Sequence, residues 1–227
     1  MKQQHASLVE LYESNWMSMS GLQMAPKAAV AGYQMVKSLP KGMALDIGCG
    51  DGTNALQLQK IGFRVEGCDI SANAVRKAQA KGIAAKKVDL NRDKLPFESE
   101  RYKLVWLTDV IEHVFWPETL IAESYRVLQK EGYLYLTTPN VIWWGIRLQI
   151  VLGKTLKELH PEHIHWFNFR TLSALLKKEK FILEKSSGYN CFVPHPLAYK
   201  LPFLNTCNKI GSLHNLTTYT LIVLAKK

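Results

Sequence analysis

Three glycines at alternate positions after an apolar run, Gly48, Gly50 and Gly52 in ALDIGCGDGT (44–53), are the sharpest chemical signal in the chain. Glycines at a strand-to-helix turn permit positive φ and let a ligand lie against the backbone. One carboxylate, Asp46, precedes the turn, and a second, Asp69, ends the next apolar run 19 residues beyond Gly50. A carboxylate at such a tip can accept both hydroxyls of a ribose. Asp89 and Leu90 follow the third run, and Leu107 and Thr108 end the fourth. A dinucleotide fingerprint would need its third glycine at position 53, where Thr53 stands. Further on, Asp109, Glu112 and His113 are spaced i, i+3 and i+4, which on a helix would put them on one face. With His163, and with His160 and His165 as further candidates, they offer groups that can move a proton near neutral pH or ligate a cation.

Positioning these groups requires alternating strands and helices. The pattern predicts strands at Met43–Ile47, Arg64–Asp69, 84–88, 103–107 and 133–137, with helices at Thr53–Lys60, 72–81 and 117–128 between them. Such alternation specifies βα units and a parallel sheet. Residues 8–24 read as helix material in an N-terminal cap spanning 1–40. Past Pro139 the alternation breaks, and 140–168 reads as an insertion before a helix at 171–178 and a strand at 181–185. Residues 188–216, rich in proline and aromatics, read as a second cap before a last strand at 219–225. Right-handed crossovers then give one open sheet with helices on both faces. The whole chain, 1–227, is expected to be a single domain, with 140–168 and 188–216 as lid and substrate segments.

Composition narrows the class. A chain of 227 residues with 47% hydrophobic residues can bury a sizeable core. The four cysteines, Cys49, Cys68, Cys191 and Cys207, form no CxxC pair, so reduced thiols are expected rather than a zinc knuckle or a disulfide framework. Met1–Glu10 is polar and has no apolar core of a secretory signal, so a cytoplasmic protein is expected. The net charge of +10 comes from dispersed lysines with no arginine-rich tract among aromatics, which speaks for solvated faces over a nucleic-acid groove. The most apolar stretch, 141–152, is too short to span a bilayer and is interrupted by Arg147; it suits either a pocket wall or peripheral membrane contact.

The GxGxG turn resembles motif I of class I S-adenosylmethionine-dependent methyltransferases. The resemblance extends over roughly 40–185 and is strongest to the small-molecule branch that includes ubiquinone-pathway O-methyltransferases. DVIEHV (109–114), the E-G-x-L-x-L-x-T-P-N stretch ending at Asn140, and H-I-x-W-F from His163 carry it. It implies an α/β three-layer Rossmann-like sandwich with a mainly parallel seven-stranded sheet, the last strand antiparallel, and a lid insertion. The cofactor implied is S-adenosyl-L-methionine, with S-adenosyl-L-homocysteine as product. Asp46 would join the network around its methionine moiety, Gly48, Cys49 and Gly50 would form the turn on which it lies, Asp69 would hold its ribose, and Ile70, Asp89 and Leu90 its adenine. Leu107 and Thr108 would flank the sulfonium.

For Glu112, His113 and His163, three readings stand side by side. They hydrogen-bond within the helix start and the lid; or His113 or His163 is a general base; or Asp109, Glu112, His113 and His163 bind a divalent metal. Some related O-methyltransferases carry an E-x-x-E-H metal site with a distant histidine, and here position 109 departs from it with Asp. A metal is the least favoured of the three. The expected activity is methyl transfer to a small acceptor with an apolar or aromatic body, for which Trp143 and Trp144 are candidate walls. Two alternatives are a nucleic-acid methyltransferase, although Thr138-Pro139-Asn140 replaces the N-P-P-[YF] motif of base methylators, and a cofactor-binding regulatory partner without turnover. The sequence sets no oligomeric state.

Overall fold

A computed structural model describes Glu10, Glu13 and residues 26–190, 206–208 and 214–227. In chain order the elements are α1 (Pro26–Lys37), β1 (Met43–Ile47), α2 (Thr53–Lys60), β2 (Arg64–Asp69), α3 (Ala72–Ala80), β3 (Ala84–Lys87) and β4 (Tyr102–Thr108). A 3-10 turn (Ile111–His113) leads to α4 (Pro117–Val127), β5 (Leu128–Pro139), α5 (Trp144–Val151), α6 (Leu156–Leu159) and α7 (Phe169–Lys178). The chain then forms β6 (Ile182–Asn190), β7 (Thr206–Asn208), α8 (His214–Thr217) and β8 (Thr218–Lys226).

One sheet runs in the order β3-β2-β1-β4-β5-β8-β6-β7. The first five strands are parallel, and β8 inserts antiparallel between β5 and β6. The expected seven-stranded Rossmann-like sandwich with an antiparallel last strand is therefore present. To it the structure adds an eighth strand, β7, antiparallel to β6 at the edge. That addition corrects the reading of 188–216 as pure cap: Gly188–Asn190 and Thr206–Asn208 continue the sheet. The rest of that segment, like most of the helix expected at 8–24, lies outside the described residues.

Burial follows the topology. β1, β4 and β8, covered on both faces, are buried along almost their whole length, as interior strands of an α/β sheet must be. The edge strand β3 buries only Ala85. Two clusters fill the layers. One is built on Leu45, Ile47, Leu107, Ile121 and Leu136, the other on Ala44, Leu58, Trp106, Tyr135 and Leu224. Adjacent residues of one strand face opposite layers, so every tip residue of β1, β2 and β4 is fixed in direction by the alternation behind it. The insertion at 140–168 contains α5 and α6, which pack Trp143 and Ile146 with Trp144, Leu156, Leu159 and Tyr219 in a separate small cluster.

Candidate active site

The β1–α2 turn is shaped by its glycines. Gly48, Gly50 and Gly52 all have positive φ, at 73°, 52° and 79°. At Gly48 an added Cβ would also collide with Cγ2 of Val110. The amides of Gly48 and Cys49 both donate to the Cys68 carbonyl, at 2.8 and 3.0 Å, and the Gly50 amide donates to Asp69 Oδ2 at 2.9 Å. The turn therefore contributes space more than donors. Cys49 is buried with its thiol against Gly67, and burial pushes the thiol pKa up, so its role in the turn is carried by its backbone.

Asp69 is held in place from two sides, because its Oδ1 also accepts the Ser71 amide at 2.9 Å. Burial raises its pKa, and these backbone donors pull it back. Each carboxylate oxygen can accept more than one hydrogen bond, so capacity remains for ribose hydroxyls. Ile70 and Leu90 are half-buried nearby in sequence terms, at the ends of the β2 and β3 units, and Asp89 accepts the Asn91 amide at 3.1 Å. Glu13, which the sequence did not single out, joins this side. Its carboxylate accepts from Ser71 Oγ and the Ala72 amide at 2.8 Å and from Asn73 Nδ2 at 3.0 Å, at the start of α3.

Asp46 is fully buried, and neither of its carboxylate oxygens has a hydrogen-bond partner. Burial, and then the charge of Asp69, push its pKa up to about 8, against a weak pull from the Ala55 amide. A buried carboxyl without a partner is costly. It fits a ligand that brings a cation, such as the ammonium of S-adenosylmethionine, and the glycine turn fits the close approach such a ligand needs. Tyr33 from α1 reaches the same region: its hydroxyl donates to Asn54 Oδ1 at 2.6 Å, and Asn54 Nδ2 lies 3.5 Å from Thr108 Oγ1. Thr108 thus faces the helix that follows the glycine turn. Leu107 does not: its side chain is fully buried in the core, because it alternates with Thr108 and faces the opposite layer.

The acceptor side departs from the helical expectation. Asp109 has φ 52°, and only the three-residue 3-10 turn follows, so Asp109, Glu112 and His113 do not share the face of an α-helix. The Asp109 amide donates to the Thr137 carbonyl, and Asp109 Oδ1 accepts from Thr137 Oγ1 at 3.1 Å, which ties it to the tip of β5. Glu112 and His113 instead meet the insertion. Glu112 is buried; its Oε2 accepts from Thr138 Oγ1 at 2.9 Å, while its Oε1 has no hydrogen-bond partner and lies 3.8 Å from His113 Nε2. His113 Nδ1 is 3.2 Å from the Glu162 carbonyl, which assigns the proton to Nδ1 and the lone pair to Nε2. His163, also buried, stacks on His160 with centroids 4.6 Å apart and meets His113 edge-on at 4.8 Å; its Nε2 is 3.5 Å from Glu162 Oε1.

Electrostatics sort these groups. Burial, with Asp109 beside it, drives the Glu112 pKa well above the ordinary value, and burial lifts Asp109 to about 6. Burial lowers His113, partly offset by Glu162, and takes His163 down to about 3 with help from His113 and His160. At neutral pH both histidines are neutral imidazoles. Among the described residues, Glu112, His113 and His163 present one ligand atom each within 4.8 Å of one another, and so do His160, Glu162 and His163. Asp109 stands outside both groups, which removes it from the ligand set proposed with it. Glu162 was also missed by the sequence reading, although H-P-E-H at 160–163 was a legible signal.

A glycine turn before α2, acids at successive strand tips and an antiparallel β8 are the arrangement of the class I S-adenosylmethionine-dependent methyltransferase fold. The chain belongs to the methyltransferase domain family, whose model matches residues 29–184. It is 29% identical over 132 residues to the mitochondrial ubiquinone biosynthesis O-methyltransferase of Candida albicans, a match covering 53% of this chain and 39% of that one. It is 26% identical over 184 residues to the ubiquinone biosynthesis O-methyltransferase of Glaesserella parasuis, covering 75% and 78%. In fold it is similar, with a TM-score of 0.70 and 21% identity over 100% of both chains, to a Thermotoga maritima protein described as a SAM-dependent methyltransferase and possible histamine N-methyltransferase.

Proposed function

We propose that the protein transfers a methyl group from S-adenosylmethionine to a hydroxyl of a small acceptor with an apolar or aromatic body. The observation that carries this reading is His113, a buried neutral imidazole whose Nδ1–H is fixed on the Glu162 carbonyl so that Nε2 is its basic atom. Support for the acceptor class comes from the relatives named as ubiquinone biosynthesis O-methyltransferases. The bound cofactor supplies an activated methyl group on a sulfonium. Asp46 would pair its ammonium and Asp69 its ribose, the Gly48–Gly50 turn would let it approach, and Ile70, Asp89 and Leu90 would border the adenine.

The chain's own task is to orient the acceptor and take its proton. His113 is the better base of the two histidines. A base works best when its pKa lies near the operating pH, and His163, at about 3, is too weak. His163 instead packs His113 edge-on and holds its ring direction. The proton taken at His113 Nε2 leaves an imidazolium that Glu162 stabilises, since Glu162 raises the His113 pKa. Incubating the protein with methyl-labelled S-adenosylmethionine and cell extract, then identifying the labelled product by mass spectrometry, tests the acceptor. With that acceptor, the rate should fall as pH drops through a value below the ordinary histidine range. His113→Gln should remove that limb and cost about 100-fold or more in kcat. A labelled protein, tRNA or DNA in place of a small molecule would overturn the reading.

A metal is the second reading, favoured by the unpartnered Oε1 of buried Glu112. Glu112, His113 and His163 would hold the ion, which would polarise the acceptor hydroxyl; loss of turnover in chelator, restored by a divalent ion, would select it over His113 as base. A nucleic-acid acceptor is disfavoured by the place of Thr138 and Asn140. Both are fully buried and bonded to Glu112 and to the Thr218 carbonyl respectively, so neither faces a base. An acceptor with a long apolar tail would be met at a membrane surface. No described helix is long and apolar enough to cross one, but α5 and its end expose Leu148, Ile150, Val151 and Leu152. Co-sedimentation with anionic vesicles, lost in Val151→Glu/Leu152→Glu, tests that contact. The cytoplasm is the proposed compartment, consistent with the reduced, buried Cys49 and Cys68.

A further inference from the structure

The segment between Glu112 and Phe115 is clamped on both sides. On one side, the Phe115 amide donates to Asn91 Oδ1 at 2.7 Å, and Asn91 itself belongs to the loop after β3 that carries Asp89 and Leu90. That loop is internally braced: Asp89 Oδ1 accepts the Asn91 amide, the Asp89 carbonyl accepts the amides of Arg92 and Asp93, and Asp93 Oδ2 accepts the Asp89 amide. A displacement of Asp89 or Leu90 is therefore carried to Asn91 rather than absorbed. On the other side, the Phe115 carbonyl lies 3.3 Å from His165 Nε2, and the Glu112 carbonyl accepts the amides of Ile164 at 2.8 Å and His165 at 3.0 Å. One residue, Phe115, thus joins the adenine loop through its amide to the insertion that carries His160, Glu162 and His163 through its carbonyl, with the Glu112 carbonyl beside it as a second tie to the insertion.

Side-chain bonds to the backbone on both faces of an irregular segment are an expensive arrangement to leave broken when the groups are half-buried. They also leave the segment few alternative positions. The 3-10 turn is only three residues long, and its flanks, Val110 and Val114, are not helical. It has no ladder of its own to resist a push from either side.

We propose that Asn91 and His165 are positioning residues that make the acceptor-side histidines respond to cofactor occupancy. The adenine loop settles against the bound adenosine, Asn91 passes that order to Phe115 through its amide, and His165, on the Phe115 carbonyl, passes it to the 160–168 segment. His113 and Glu162 then meet in the geometry that presents His113 Nε2 to an acceptor. The inference rests on the cofactor reading but adds residues and a direction of coupling: cofactor first, acceptor second.

S-adenosylhomocysteine alone is the probe, so the test does not depend on the acceptor. Its affinity is measured by calorimetry, and hydrogen exchange is followed in peptides covering 160–168, where the amides of Ile164 and His165 report directly. In the wild-type protein, saturating S-adenosylhomocysteine should slow exchange of these amides by about fivefold or more. Asn91→Leu and His165→Phe should each keep its affinity within about threefold, yet abolish that slowing. Asn91→Asp, which keeps an oxygen acceptor for the Phe115 amide, should restore it. A purely structural role would instead lower stability in all three variants without separating affinity from the 160–168 response. The relay is overturned if the wild-type segment ignores bound ligand, or if folded Asn91→Leu and His165→Phe still respond. Failure of S-adenosylhomocysteine to bind the wild type would bring down the cofactor reading itself, which calorimetry shows separately.

Discussion

Asp46 shows how much one side chain can disclose about the ligand a site would take. A carboxylate with no hydrogen bond in a fully buried place is stable only as the neutral acid, so its pKa sits at about 8 against an ordinary 3.8. Because the folded value lies above the unfolded one, its stabilising contribution is fully present below about 4 and is lost as pH rises towards 8. The ligand-free protein should therefore lose stability over that window, and Asp46→Asn should flatten the slope by the part that Asp46 supplies. Asp69, Tyr33, Cys49 and Cys68 face it and move with it, so the difference between variant and wild type is the reliable readout. A cationic ligand reverses the balance: at pH 7 binding should expel about one proton. Calorimetry in buffers of different ionisation enthalpy detects it. Identical heats in all buffers would mean that no ammonium reaches Asp46.

At the scale of elements, the β1–α2 turn is set by contact as well as by φ. Gly48 is at φ 73°, and Val110 stands where its Cβ would go. Gly48→Ala should cost ~1–3 kcal/mol in chemical denaturation, from strain and overpacking together. Adding Val110→Ala should recover only the steric part. The residual, on the order of 1 kcal/mol, belongs to the backbone conformation. Full recovery in the double variant would show that φ imposes nothing here. The same turn explains why Val110 follows a left-handed Asp109: the chain leaving β4 must clear the glycine turn while keeping its bonds to Thr137.

For the whole molecule, cofactor binding should appear as stability. A ligand that binds only the folded chain, at 100 times its Kd, adds ~2.7 kcal/mol. For a domain of this size that is a rise of roughly 5–10 °C in Tm. S-adenosylhomocysteine should produce it. NAD at millimolar concentration should not, because Thr53 occupies the place of the third dinucleotide glycine and Glu13 already fills the start of α3 beside Asp69. Equal shifts with both ligands would return the turn to the general nucleotide-binding class.

The order of residues alone places the strands of the parallel sheet, the glycine turn and the acids Asp46, Asp69 and Asp89 at strand tips. These features are local: in a parallel sheet every tip faces the same edge, so a residue's place follows from its offset along its own strand. It misjudged Leu107, because one residue of offset turns a side chain to the opposite layer. It set Asp109 beside Glu112 and His113, because i, i+3, i+4 spacing has meaning only if an α-helix forms. It read 188–216 as cap, where β6 and β7 pair in part. Meetings across long separations arise only when the chain folds: Glu13 with Ser71, Tyr33 with Asn54, Glu162 with His113, and Asn91 with Phe115. None has a period or a motif, since each depends on which crossover carries one segment over another. The glycine turn and the acids at the strand tips belong to the sheet itself and were legible. The acceptor side is built from an insertion folded back on a three-residue turn, and that packing has no counterpart in the order of residues.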